Sequence, residues 1–169
     1  MSTGRRVVRD GLVVGLIGYA AVALFYSVFD VLAARGPVFT VNMLGRALFR
    51  GVRDPAILLF PVTIDRGALL AYNALHLAVA LAVGVFVTTL VARADEDPAR
   101  RRWTAAVLVA GGIATVFAVG FLSTPIRPLL PWWSIVVANV LAAFAAAAWL
   151  AHQRPGVWRR MAAAPGGGG

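Results

Sequence analysis

The chain contains no cysteine and no lysine, and its 169 residues carry only seven carboxylates. Without thiols it can form no disulfide, thiolate zinc site, iron–sulfur cluster or covalently attached c-type haem of its own. Charge is scarce too: 14% of the residues are charged, where a soluble domain carries about a quarter. No phosphate-cradling glycine loop, nucleophile elbow, HExxH or paired-carboxylate motif occurs, so hydrolase and kinase chemistry has no foothold. No internal repeat is strong enough to mark an inverted-repeat transporter.

What the sequence does have is apolar length. Sixty per cent of the residues are hydrophobic and the mean hydropathy is +0.81. A helix crosses roughly 30 Å of hydrocarbon with about 20 mostly apolar residues. Four segments qualify: 11–34, 67–92, 103–122 and 132–151. The expected fold class is therefore all-α, an integral membrane four-helix bundle that forms one domain over residues 1–161. The Ala/Pro/Gly stretch 162–169 has nothing to bury and is expected to be a disordered tail. Arg5, Arg6 and Arg9 ahead of the first run invite a signal-peptide or twin-arginine reading. The 24-residue run exceeds a signal-peptide core, and no small-x-small site follows, so an uncleaved anchor is expected.

The sixteen cations are all arginine and give a formal charge of +9. They flank the apolar runs, which makes them topology signals and lipid contacts rather than a nucleic-acid surface. With the N-terminus inside, ten fall on the cytoplasmic side and six outside, five of those in or beside one thirty-residue connection. The bias predicts both termini in the cytoplasm, and a bacterial inner membrane is the expected location. Trp103, Trp132, Trp133, Trp149 and Trp158 fall at or just beyond span ends, where an amphipathic ring prefers the headgroup layer.

The connection 36–65 is too long and apolar for a plain loop. Arg46, Arg50 and Arg53 recur at i, i+4, i+7, while Val41, Leu44, Leu48 and Val52 share another face. That pattern predicts an amphipathic interfacial helix near residues 40–52 with its arginines toward anionic lipid headgroups. The apolar half 55–64, broken by Pro61, is expected to pack over the outer mouth of the bundle or dock a partner. Residues 95–102 form a self-neutralising turn, and Pro125, Pro128 and Pro131 make 123–131 a stiff bridge.

In lipid, small residues mark close helix contacts. The first span carries Gly11, Gly15 and Gly18 on one face, and the second carries Ala80, Gly84 and Thr88 in line with His76. Gly111 and Gly112 sit midway along the third, and the fourth is close to polyalanine. Such stripes indicate tight packing, within the chain or with another subunit.

Polar side chains inside spans are costly and informative. From helical rise, Tyr26, Asp30, Tyr72, Asn73, His76 and Asn139 fall in one outer-half layer, roughly 6–15 Å below the boundary for the residues counted. Tyr19, Tyr26 and Asp30 share a face of the first helix, and Tyr72, Asn73 and His76 share one turn of the second. The plainer reading is interhelical hydrogen bonding that fixes register. The sharper one centres on His76, whose imidazole could accept a proton, bond a quinone carbonyl or ligate haem or a metal. His152 lies roughly 15 Å deeper, so bis-histidine haem would need another subunit. A copper or zinc site lacks ligands, since Met43 and Met161 lie elsewhere.

Three functions are compatible with these residues. The first is a non-catalytic accessory or scaffold subunit of a membrane complex, or a self-associating one. The second is a redox subunit that interacts with quinone or haem around His76, and the third an oligomeric small-molecule or ion transporter. One Asp and one His in four helices is lean for an ion path, which favours the first. No cofactor is assigned.

Overall fold

Hydrocarbon offers no partner to a backbone N–H, so apolar runs of this length must close their hydrogen bonds internally. In the computed structural model, which describes residues 3–52, 63–97 and 99–153, they do so as helices. The elements are α1 (Thr3–Leu32), α2 (Phe39–Phe49), α3 (Arg66–Glu96), α4 (Arg100–Leu122), a 3-10 turn (Thr124–Ile126) and α5 (Trp132–Gln153). None of the four prolines among the described residues, Pro37, Pro125, Pro128 and Pro131, falls inside an α-helix, as the missing N–H requires. α1, α3, α4 and α5 are long and apolar enough to cross a membrane.

The expected spans match these helices, with differences at the ends. α1 begins at Thr3, two turns before the apolar run, so Arg5, Arg6 and Arg9 are helical. It stops at Leu32 because the chain turns sharply: Ala34 has φ 55° and Gly36 φ 82°, the left-handed region that glycine enters without cost. We call the end holding residues 33–52, 63–65 and 123–131 distal, and the end holding Asp97 and Ala99 proximal.

α1 is the hub. It lies antiparallel to α3 along the bundle's largest interface and also packs on α5 and α2. Two glycines set the α1–α3 approach. A Cβ on Gly15 would stand 2.6 Å from Leu81 Cα and from the Ala80 carbonyl oxygen, and one on Gly84 would run into the backbone of Gly11 and Gly15. The stripes expected on the first and second spans are therefore spent largely on each other. Gly18 is not part of the clasp, since nothing lies within 4 Å of its Cβ position.

The main apolar core sits at the distal end and joins Tyr26, Phe39, Met43, Leu44, Ile126, Leu130, Ile135 and Ala138. α2 is thus a structural part of the bundle as well as an amphipathic helix. Its buried side is Phe39, Thr40, Asn42, Met43, Leu44 and Gly45, whereas Leu48, which shares the predicted apolar face with Leu44, is 45% exposed. The reason is steric: Gly45 lets the α2 backbone lie against that of Ala68, with no room for a Cβ between them. Of the rest of the connection, residues 53–62 lie outside the described residues, Arg53 and most of the apolar half included, as does the 162–169 tail.

α4 is the outlier. It touches α3 and α5 sparingly and buries only Thr104 and Gly120.

Candidate functional site

The distal half holds most of the buried polar chemistry, which resolves into three groups. The first is built on Asp30, fully buried at the last turn of α1. Its carboxylate accepts the Thr40 backbone N–H at 2.7 Å and the Thr40 hydroxyl at 2.6 Å. α2 has no side-chain cap of its own, because its N-cap residue is Val38. Asp30 supplies that cap from another helix, an anion at the positive end of the α2 dipole. Arg35 secures the same corner: its guanidinium donates to the Leu129 carbonyl at 3.0 Å and lies 5.4 Å from the Phe39 ring centroid.

The second group joins α1 to α3. The Tyr19 hydroxyl donates to Asn73 Oδ1 at 2.9 Å, and the Asn73 amide donates to the Leu69 carbonyl of its own helix. The His76 ring is half-buried between two phenols, with centroids 5.2 Å from Tyr19 and 6.0 Å from Tyr72. No hydrogen bond reaches the imidazole among the described residues. Tyr26, one turn before Asp30, is buried against Phe25 and Phe29, and its hydroxyl has no hydrogen-bond partner there.

Asn139 stands apart. Its amide donates to the Ile135 carbonyl one turn back on α5, and its side chain lines a groove between α4 and α5. Of the six residues expected to form one layer, Tyr72, Asn73 and His76 share a turn of α3. Tyr26 and Asp30 serve the α1–α2 corner. The first-helix partner of the α3 trio is Tyr19, whose spacing from Tyr26 and Asp30 had placed it on their face.

A third group, absent from the sequence reading, pins the chain after α2. Asn42 donates to the Thr63 carbonyl at 3.2 Å and accepts the Asp65 N–H at 2.9 Å. Its signal was a lone amide among Val41, Met43 and Leu44. Asp65 then caps α3 through the Ala68 N–H and pairs with Arg50 at 2.9 Å. The Arg50 hydrogen bond, helped by the Ala68 N–H, lowers the Asp65 carboxyl to about 2, and Asp65 in turn raises Arg50. Arg46 reaches toward the Thr63 carbonyl at 3.5 Å. So Arg50 already has an anionic partner in the chain, and the third arginine of the row, Arg53, lies outside the described residues.

Among the described residues no group of three or more His, Asp or Glu side chains could hold a metal ion. His152 lies in the last turn of α5, at the proximal end. Comparison of the chain with protein-family models, with curated proteins and with solved structures gives no match.

Proposed function

We propose that this multi-pass membrane protein is a non-catalytic accessory or scaffold subunit of a membrane complex, placed in a bacterial inner membrane with both termini cytoplasmic. The observation that carries the proposal is the contrast between α4 and the rest. Asp30, Tyr19, Asn73 and Asn139 are each hydrogen-bonded within the chain, which fits a structural use of the polar residues. α4, meanwhile, leaves Val107, Gly111, Ala114 and Ala118 exposed along one helical face. Small residues at that spacing suit close approach by another transmembrane helix. Arg46, at the distal end, would meet anionic headgroups at the same time, while Arg50 is shared with Asp65.

The test is in-cell photo-crosslinking from residue 114, with blue-native separation of the solubilised membranes. Capture of one distinct membrane polypeptide and migration well above the chain's own 17.8 kDa are expected. A free monomer with no adduct would overturn the proposal. A second reading, a redox or quinone/haem subunit centred on His76, is favoured by the imidazole's lack of a hydrogen-bond partner. A Soret band, or a bound quinone lost in His76→Asn, would put that reading first.

A further inference from the structure

We infer that the groove between α4 and α5 seats one acyl chain of an anionic phospholipid whose phosphate is held by Arg127. The groove has a volume of about 780 Å³ and is walled by Gly112, Ile113 and Val116 of α4 and by Trp132, Val136 and Val140 of α5. Gly112 widens it, since nothing lies within 4 Å of its Cβ position. An open apolar slot at membrane depth is filled by something apolar. The side chain stacked on Trp132, at the distal end of its wall, identifies that occupant.

Arg127, on the turn between α4 and α5, lays its guanidinium 4.1 Å from the Trp132 ring centroid. Nη2 donates to the Gly120 carbonyl, while Nε and Nη1 are screened from solvent and have no hydrogen-bond partner among the described residues. Among the described residues the acids at this end are committed elsewhere, Asp30 to Thr40 and Asp65 to Arg50. Among the described residues Arg127 has no ion pair. A screened cation with two unused donors needs an acceptor, and a phosphodiester offers oxygens in the geometry a guanidinium fork binds. A cation at the head of an apolar slot is the complement of an anionic head on an acyl chain.

The alternative occupants fit less well. A helix of a partner protein would fill the slot but supply no anion by virtue of being a helix. A second copy related by a twofold axis along the membrane normal would bring its own Arg127 to the same level, cation facing cation. To reach Nε and Nη1 the phosphate must displace the Trp132 ring, which is 43% exposed and packs edge-on against Phe117.

The inference rests on the membrane location of the helices and not on the accessory role. It is tested by native mass spectrometry of the full chain, delipidated and then offered equal amounts of phosphatidylglycerol and phosphatidylcholine with matched acyl chains. The anionic lipid should be retained over the zwitterionic one by about tenfold, the scale of a charge-assisted hydrogen bond. Arg127→Gln should abolish the preference, and Arg127→Lys, which keeps the charge and loses the fork, should reduce it several-fold. Gly112→Leu, which fills the slot, should lower retention of both lipids. Arg102→Gln, at the proximal end, should change nothing. Equal retention of the two lipids by the wild type would overturn the inference, and so would an undiminished preference in both Arg127 variants. Efficient disulfide-linked dimers of Val140→Cys in excess phosphatidylglycerol would assign the groove to a second copy instead.

Discussion

Gly84→Ala adds one methyl group where the α1 and α3 backbones lie against each other. The new Cβ would stand 2.7 Å from Gly15 Cα and closer still to the Gly11 carbonyl oxygen and the Gly15 nitrogen. Carbon atoms settle at about 3.5–4.0 Å, so α1 and α3 must separate by about 1 Å. Backbone atoms cannot rotate out of the way as a side chain would. A gap of that size forfeits up to about half the dispersion energy of each contact it opens, and overpacking of this kind costs about 1–3 kcal/mol. Against that stands the gain in helix propensity from Gly to Ala, about 1 kcal/mol. Gly84→Ala should therefore be a net destabiliser, and Gly84→Leu a severe one. Gly18→Ala and Gly111→Ala provide the control, since nothing lies within 4 Å of either Cβ position. In these only the propensity term acts, and the effect should be neutral or stabilising. Thermal unfolding of the four variants in one detergent, followed by circular dichroism and intrinsic fluorescence, gives the ranking. The reasoning fails if Gly84→Ala is as stable as Gly18→Ala.

Three further outcomes follow from the distal corner. Asp30→Ala strands the Thr40 N–H and hydroxyl in a buried site, at a cost of about 1–3 kcal/mol; hydrogen exchange in α2 should speed up well before that in α3, and uniform protection would refute the cap. Ala34→Gly relieves a left-handed alanine and should stabilise the protein by about 1 kcal/mol, read as a higher melting temperature. Asp65, held at about 2 against an ordinary 3.8, is depressed in the folded state, so its contribution is full above the ordinary value and is lost as pH falls toward 2. In Arg50→Gln, carboxyl NMR should find Asp65 titrating closer to 3.8, and an unchanged midpoint would show that Arg50 is not the cause.

The span count was legible in the sequence because hydrocarbon thickness imposes a length, and the prolines and arginines mark where each helix must stop. The existence of α2 was legible from its arginine period, but its orientation was not. Periodicity sees Leu48 as equivalent to Leu44, and only the contact of Gly45 with Ala68 rotates Met43 into the core and leaves Leu48 out. A polar residue on the apolar side of a predicted helix carried the better signal. Asn42 is buried because it holds the Thr63–Asp65 backbone, a role that amphipathic scoring penalises.

The polar layer shows what depth alone leaves undetermined. Counting residues from the membrane boundary groups Tyr26, Asp30, His76 and Asn139, since all fall in the distal half, but depth does not say which face meets which. Register does. Gly15 lies against Ala80 and Leu81, and Gly11 against Gly84 and Val85, so each four-residue step along α1 is matched by four in the opposite direction along α3. One step further along α1 places Tyr19 opposite His76, and their rings are in contact at 5.2 Å. The two glycine stripes, once set against each other, therefore contain the His76 neighbour that the depth count passes over. The same register places the end of α1 beside the start of α3. There Asp30 is taken up by Thr40 and Asp65 by Arg50, which leaves the imidazole at mid-depth with aromatic neighbours and no acid. A proton passed to His76 from Asp30 would have to travel past Tyr26, whose hydroxyl makes no hydrogen bond among the described residues. A structural use of the layer needs no such step.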